Sequence, residues 1–242
     1  MFPPLRIATV VVPVGGGGLA AGIVAAFAEL KPPVRVIGVQ AARAAAYPGS
    51  LAAGRPVALE SMHTMADGIA VAKPGLLNFE IVRDTVDEVV TVTEDDTARA
   101  LLVLLERAKL VVEPAGAVTV AAILAGKITA TAGGSGSTVA MLSGGNIDPL
   151  LMQRVISHGL AASGRYLKLR IMLPDRPGQL ARISELLAEA HANVIEVLHT
   201  RHGVGLQISE VELNVSVETR GPDHRQLVVD VLRAAGYDPQ FD

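Results

Sequence analysis

Four consecutive glycines stand between an apolar run and an alanine-rich segment that begins at Leu19. A helix N-terminus carries unpaired N–H groups and a partial positive charge, and glycines there let a phosphate approach the backbone with no Cβ in the way. The pattern predicts an anion site formed by Gly15, Gly16, Gly17, Gly18 and Leu19. The alternative is a tight turn without a ligand, although four glycines cost more chain entropy than a turn requires.

The identity of the phosphate is limited by what surrounds these glycines. No Lys-Ser or Lys-Thr pair follows at the spacing of a P-loop. Gly15, Gly17 and Ala20 have the spacing of a dinucleotide fingerprint, but the acid expected after the second strand is replaced by Gln40. A dinucleotide-dependent oxidoreductase is therefore disfavoured.

A second candidate for ligand contact is Ser143, in the segment Leu142-Ser143-Gly144-Gly145-Asn146 after an apolar strand. In open α/β sheets, ligands bind at the carboxyl ends of the strands. A hydroxyl there, with small neighbours, can hydrogen-bond a nitrogen of a flat ring. The alternative is that Ser143 caps a turn or a helix.

Alternating strands and helices position these residues. Runs 7–12 and 34–39 are apolar and β-branched, as buried parallel strands are, and a helix is predicted between them at 19–30. Further strands are predicted at 88–92, 110–112 and 139–142, and further helices at 94–108 (with Thr93 as N-cap), 114–124 and 149–161, with a loop at 131–137. The order predicts an α/β domain over residues 1–161, a parallel sheet with helices on both faces.

The pattern changes after a small-residue boundary, and residues 165–242 form a second predicted domain. Its strands are predicted at 166–173, 193–201, 209–218 and from 236, its helices at 178–191 and 222–235, and a turn at 202–205. This βαββαβ order is that of a ferredoxin-like unit. In strand 209–218, glutamates alternate with apolar residues, which predicts a half-buried sheet. Its edges favour pairing with a second copy, hence a homo-oligomer.

Composition excludes several classes of protein. The 242 residues carry a formal net charge of -3 with scattered charges, so neither a nucleic-acid nor a membrane partner is expected. Cys is absent, which removes disulfides, thiolate nucleophiles and Cys-based metal sites. No leader sequence or membrane-spanning run is recognisable, and the prediction is a cytoplasmic protein.

Four motifs carry a resemblance to a known family. PVGGGGL at 13–19, TMADG at 64–68, VVEPAGA at 111–117 and LSGGN at 142–146 resemble, in order and spacing, the threonine dehydratase branch of the fold type II pyridoxal phosphate enzymes. The tail from Arg165 is similar to an ACT regulatory domain, with LPDRPGQL at 173–180 matching its first loop. The resemblance implies conversion of L-threonine to 2-oxobutanoate and ammonia, with some activity on L-serine, in catabolism or in isoleucine biosynthesis.

The resemblance also implies roles for single residues. The glycine turn through Leu19 would hold the phosphate of pyridoxal 5'-phosphate through backbone N–H groups, and Ser143 would face the pyridine nitrogen. A neutral hydroxyl there does not favour a protonated ring as a carboxylate would. Glu113 and Gly68 would line the cofactor and Asp67 the substrate cavity. The structural alternatives are that Asp67 caps a turn and Glu113 caps the following helix.

In the second domain the resemblance implies an allosteric site for an amino-acid effector. Asp175, Gly178 and Leu180 lie in the matching loop, where the glycine frees N–H groups near a helix start. The alternative is an ordinary N-capped helix with a proline near its start.

Two features of the family are not found in this sequence. The family's Schiff-base lysine lies upstream of the glycine turn in a Ser-x-Lys-x-Arg-Gly motif, and no lysine here has that context: Lys31, Lys73, Lys109, Lys127 and Lys168. We therefore expect the C-terminal portion of a larger enzyme, inactive alone. Related serine racemases hold a divalent cation with acids where this chain has Gln40 and Ala46, so no metal site is expected. A non-catalytic, amino-acid-binding regulatory module is the alternative function.

Overall fold

The computed structural model describes residues 6–28, 34–128, 136–201, 207 and 209–241. The chain divides into two compact units, Met1–Ile156 and Ser157–Asp242. The predicted turn at 202–205 and most of the predicted loop at 131–137 lie outside the described residues.

The first unit contains a four-stranded parallel sheet. Its strands are β1 (Ile7–Pro13), β2 (Arg35–Ala41), β3 (Glu88–Val92) and β4 (Ser137–Ala140), in the order β3-β2-β1-β4. All three pairings are parallel. Strands β1 and β2 are central and almost fully buried, which their continuous apolar runs predict.

Helices cover both faces of this sheet, as predicted. They are α1 (Gly18–Phe27), α2 (Ala46–Ala53), α3 (Leu76–Thr85), α4 (Glu94–Val103, continued by a π-helical turn Leu104–Ala108), α5 (Pro114–Leu124) and α6 (Pro149–Ala162). Neighbouring β1 residues point to opposite faces, and Val11 packs in a cluster with α4 and α5. Val10 and Val12 pack in a second cluster with α1 and the side chains of Tyr47 and Phe79.

The predicted strand at 110–112 is wrong. Lys109 adopts a left-handed conformation with φ 59 that ends the preceding helix, and the Leu110 N–H bonds back to the Leu104 carbonyl at 3.1 Å. Leu110 and Val111 are exposed and only Val112 enters the core. These residues form a connection between two helices. Their apolar side chains explain why the sequence pattern predicted a strand.

Other elements differ from prediction in their bounds. Strand β4 spans Ser137–Ala140 rather than 139–142. Helix α2 is not expected from the sequence, because it contains Pro48 and Gly49. Within it the buried Ser50 hydroxyl donates to the Ala46 carbonyl at 2.7 Å and accepts from the Val57 N–H at 2.9 Å, and the Tyr47 N–H donates to the Gln40 side chain at 2.9 Å. A buried tertiary network therefore outweighs poor helix propensity.

The second unit is a small antiparallel sheet with two helices. Its elements are β5 (Tyr166–Pro174), α7 (Gln179–Glu189), β6 (Asn193–Thr200), β7 (Glu210–Glu218) and α8 (Pro222–Ala234), with strand order β5-β7-β6. Alternate residues of β5 and β7 pack with both helices in one core, which confirms the half-buried sheet. The predicted last strand from 236 is reduced to a single bridge between Arg170 and Gln240.

No helix in the part of the chain that the structure describes has the length and apolar character needed to cross a membrane.

A capping box begins α4 and confirms Thr93 as its N-cap. The Thr93 hydroxyl accepts from the Asp96 N–H at 3.1 Å, and the Asp96 carboxylate accepts from the Thr93 N–H at 3.1 Å. Acidic residues in the first turn also complement the helix dipole. The two bonds satisfy N–H groups that the helix itself cannot.

We expect Thr93→Ala to lower the free energy of unfolding by about 1 kcal/mol, because it removes the side-chain cap. Thr85→Ala is the matched control, since the exposed Thr85 hydroxyl only donates to the Ile81 carbonyl in its own helix. Urea unfolding followed by circular dichroism measures both. Equal effects of the two substitutions would contradict a capping role.

Candidate functional site

The glycine turn joins the carboxyl end of β1 to the start of α1. The Val14 N–H donates to the Val39 carbonyl at 2.8 Å, so the chain stays attached to the sheet one residue beyond β1. Gly17 then takes φ 93 at the N-cap, and the helix begins at Gly18 without a side-chain cap. A left-handed N-cap is accessible to glycine at little cost. The turn therefore presents a helix N-terminus with no side chain over it.

A cavity of about 200 Å³ opens at this turn. The residues that line it are Pro13, Gly15, Gly16, Gly17, Gly18, Leu19, Gly68, Ile69 and Ser143. Three of the four sequence motifs thus meet here, at the carboxyl ends of parallel strands. Small-molecule pockets usually measure about 300–1,000 Å³. The cavity is thus smaller than a typical small-molecule pocket.

Steric demand explains some of the glycines but not all. A Cβ on Gly15 would lie 3.0 Å from the Ile69 Cα, and a Cβ on Gly17 would lie 1.9 Å from the Tyr47 hydroxyl oxygen. A Cβ on Gly16 would meet only Val71, at 3.5 Å. On Gly18 its nearest neighbour would be 3.9 Å away. Packing therefore explains why Gly15 and Gly17 are glycines. At Gly16 and Gly18 a larger side chain would fit, so packing does not explain the glycines there.

Glu113 links two of the motifs from beside the cavity. It occupies the N-cap position of α5, but its side chain makes no capping hydrogen bond. Its N–H donates to the Gly144 carbonyl at 3.2 Å. A Cβ on Gly144 would lie 2.4 Å from the Glu113 carboxylate, and one on Gly68 would lie 3.2 Å from it. Glu113 thus packs against both turns, and it is not among the residues lining the cavity.

Asp67 acts locally in the structure. Its carboxylate accepts from the Gly68 N–H at 2.8 Å. The short 3₁₀ turn Asp67–Ile69 is closed by the backbone, because the Ala70 N–H donates to the Asp67 carbonyl at 3.0 Å. Gly68, by contrast, reaches the cavity.

Glu94 is a positioning residue that the sequence patterns did not reveal. Its carboxylate accepts from the Thr64 hydroxyl at 2.6 Å and from the Met65 N–H at 2.8 Å. The first turn of α4 therefore holds the TMADG segment in place. Its one sequence signal, an acid at a helix start, is shared by many helices without such a role.

None of the lysines in the described ranges lines the cavity. Lys73, Lys109, Lys127 and Lys168 are all exposed, and Lys31 lies outside those ranges. Over the same ranges, no group of three or more His, Asp and Glu residues is placed to hold a metal ion. The buried Gln40 side chain donates to the Val14 carbonyl at 3.1 Å.

The predicted effector residues are only partly brought together. Asp175 lines a depression of about 380 Å³ at the end of β5, and its carboxylate lies 3.4 Å from the Arg201 guanidinium. Gly178 has φ 91 at the N-cap of α7, with no side-chain cap, and Leu180 is exposed. Neither Gly178 nor Leu180 is among the residues lining that depression.

Comparison with known proteins shows which family the chain belongs to. Residues 4–144 match the model of a family described as pyridoxal-phosphate dependent enzyme. The chain belongs to that family. Residues 168–236 match the ACT domain. The family and the ACT domain confirm the resemblance drawn from the four motifs and the tail.

Two curated relatives that match 96% of the chain are named L-threonine ammonia-lyase. An L-threonine ammonia-lyase of Geobacter sulfurreducens is 48% identical over 231 residues, which is 96% of this chain and 57% of that protein. One from Thermotoga maritima is 43% identical over 233 residues, again 96% of this chain and 57% of that protein. This chain therefore spans somewhat more than half the length of these two curated relatives.

Solved structures of proteins named threonine deaminase are also similar to this chain. A threonine deaminase from T.th. has a TM-score of 0.54 and 40% identity, covering 59% of this chain and 51% of that one. A threonine deaminase isoform from Solanum lycopersicum has a TM-score of 0.57 and 32% identity, covering 63% and 44%.

We expect Gly17→Ala to lower the free energy of unfolding by about 2 kcal/mol or more, because it combines backbone strain with a clash against Tyr47. Gly16→Ala should stay within about 1 kcal/mol of the parent, because its new Cβ makes an ordinary contact. Urea unfolding of the two variants side by side measures the difference. A Gly17→Ala chain as stable as Gly16→Ala would contradict this packing.

Proposed function

We propose that this chain provides the phosphate-binding and ring-binding part of a pyridoxal 5'-phosphate-dependent L-threonine ammonia-lyase. The reaction is conversion of L-threonine to 2-oxobutanoate and ammonia, with L-serine as a second substrate. The observation that carries the proposal is that the glycine turn and Ser143 line one cavity. The names of the relatives that cover 96% of the chain support the substrate.

The glycine turn fits the phosphate. A helix N-terminus offers N–H groups and a partial positive charge to a dianion. Gly16 and Gly18 have no packing reason to lack a side chain, so the bare backbone there is available for close approach. The residues that would hold the phosphate are Gly15, Gly16, Gly17, Gly18 and Leu19.

Ser143 fits the ring nitrogen. Its hydroxyl is neutral, so it can orient the ring without favouring the protonated form. When bound, the cofactor supplies an electron sink for negative charge at the Cα of the amino acid. Gly68 borders the same cavity, and Glu113 positions the turns at Gly68 and Gly144. Asp67 is proposed at the substrate side, next to Gly68, whose N–H donates to the Asp67 carboxylate at 2.8 Å.

The described residues supply no amine to the cofactor aldehyde, because the four described lysines are exposed and do not line the cavity. The chemistry of elimination also needs a base for the Cα proton, a role that a Schiff-base lysine usually fills. This chain by itself is therefore proposed to bind the cofactor without turning over threonine.

The second unit is proposed as the regulatory part, with an amino-acid effector bound near Asp175, Gly178 and Leu180. Strand β6 is a sheet edge with exposed apolar side chains, which supports a homo-oligomer. A cytoplasmic location and a role in isoleucine biosynthesis or threonine catabolism belong to the same proposal. The exposed lysines favour one further candidate, a non-catalytic module that binds amino acids.

The catalytic proposal is tested with a chimera. The part of the Geobacter sulfurreducens relative that this chain does not match is fused upstream of it, to restore the lysine motif that the resemblance places there. We expect the chimera to form 2-oxobutanoate from L-threonine, whereas the 242-residue chain with added cofactor forms none. Product is measured with a coupled dehydrogenase assay.

In the chimera, Ser143→Ala should lower kcat/KM about two- to tenfold, the effect of losing one neutral hydrogen bond. Ser184→Ala is the control, because its hydroxyl only donates to the Leu180 carbonyl of its own helix. Turnover by the 242-residue chain alone, abolished by Lys73→Ala or Lys109→Ala, would overturn the proposed division of roles.

Calorimetry tests the effector site in the whole chain. We expect isoleucine, valine, serine or threonine to release or absorb heat on binding, and Asp175→Asn to weaken that binding about tenfold, because a carboxylate partner of the ligand ammonium is lost. Asp238→Asn is the control, since exposed Asp238 contacts Gln240. Binding unchanged by Asp175→Asn would place the effector elsewhere.

A further inference from the structure

Three side chains hold the glycine turn through hydrogen bonds to backbone carbonyls. They are Gln40 from β2, Tyr47 from α2 and Asn78 from α3, named here the carbonyl brace. None of the three is among the residues that line the cavity. Their shared feature is that each donates a hydrogen bond to a backbone carbonyl of the turn or of the residue before it.

Gln40 holds the carbonyl that precedes the turn. Its amide nitrogen donates to the Val14 carbonyl at 3.1 Å, and its amide oxygen accepts from the Tyr47 N–H at 2.9 Å. Gln40 is fully buried. A buried amide with one bond on each side is fixed in orientation, because turning it over would place like partners together.

Tyr47 and Asn78 both donate to the carbonyl of Gly16. The Tyr47 hydroxyl donates to the Gly16 carbonyl at 3.3 Å, and the Asn78 amide nitrogen donates to the same oxygen at 3.2 Å. A carbonyl oxygen has two lone pairs and can accept both bonds. The Tyr47 oxygen also lies where a side chain at Gly17 would have to be.

Tyr47 remains a donor over the whole physiological range of pH. Its side chain is fully buried, and its ring lies 6.3 Å from the Phe79 ring. Burial raises the pKa of the Tyr47 phenol to about 12. The neutral hydroxyl is therefore the form that meets the Gly16 carbonyl.

The geometry of the peptide bond transmits this contact to the ligand side. In a planar trans peptide the C=O and the N–H of the next residue point in opposite directions. Holding the Gly16 carbonyl on the Tyr47 side therefore directs the Gly17 N–H the other way, and holding the Val14 carbonyl does the same for the Gly15 N–H. Glycine peptides rotate easily, so without such partners these N–H groups would sample several directions.

We propose that the carbonyl brace consists of positioning residues that set the affinity of the glycine turn for a phosphate group. The inference rests on the proposed function, since it requires an anion at this turn. The brace acts through the backbone, so it should contribute to the binding of the phosphate and not to the binding of the ring.

The test compares two ligands that differ only in the phosphate. Pyridoxine 5'-phosphate and pyridoxine lack the aldehyde and so form no imine with exposed lysines. Calorimetry on the whole chain gives both dissociation constants. The dissociation constant of pyridoxine divided by that of pyridoxine 5'-phosphate measures what the phosphate contributes to binding. We expect Tyr47→Phe and Asn78→Ala each to lower that ratio about two- to tenfold, as the loss of one oriented hydrogen bond predicts.

Matched controls come from the second unit. Tyr237→Phe removes a hydroxyl that donates to Gln179 at 3.3 Å, and Asn193→Ala removes an amide that donates to Glu218 at 3.2 Å. Both should leave the ratio unchanged. Urea unfolding of every variant measures stability separately, and Tyr47→Phe, which loses one oxygen atom, keeps the fold testable if Asn78→Ala does not.

The outcomes separate the two proposals. A parent chain that prefers the phosphorylated ligand, with a preference reduced in Tyr47→Phe and Asn78→Ala alone, supports the brace. If both variants keep the preference of the parent, or if both ligands lose affinity equally, the proposed role of the carbonyl brace is wrong. The proposal of an anion site is not affected by either result. A parent chain with no preference for the phosphorylated ligand overturns the anion site itself.

Discussion

The direction of two peptide planes between β1 and α1 is the constraint on which the candidate site depends. An anion is held by N–H groups only if those groups point at it together, and glycine peptides do not keep a direction unaided. Here the carbonyls of Val14 and Gly16 have side-chain partners that are not among the residues lining the cavity. The directions of these two peptide planes are thus set by side chains that do not line the cavity.

Close packing against glycines also occurs elsewhere in the first unit. The Glu113 carboxylate lies where side chains at Gly68 and Gly144 would be, and the Ser143 carbonyl lies 2.8 Å from where a Cβ at Gly116 would be. At Gly68, Gly116 and Gly144, neighbouring side chains or backbone therefore come too close for a larger residue to fit without a shift. Close packing of this kind transmits small shifts, so each turn constrains the next.

Patterns in the sequence were sufficient for features that depend on local chemistry or period. Buried parallel strands, the Thr93 cap and the alternation along β7 all follow from residue type and spacing. The meeting of Ser143 with the glycine turn follows from the rule that strand ends share an edge of the sheet. Features that depend on long-range partners were missed: α2 forms around Ser50, and Glu94 holds a segment about thirty residues earlier in the chain.

Gln40 shows why a motif must be read with its surroundings. Judged by spacing alone, it stands where a dinucleotide enzyme needs an acid. In the fold it is buried beneath the turn, and its partner, the Val14 carbonyl, can only accept a hydrogen bond. A carboxylate there would place two acceptors together in a buried site, which is costly. A side chain that both donates and accepts suits this position, so the residue that argues against a dinucleotide is one that holds a backbone carbonyl beside the glycine turn.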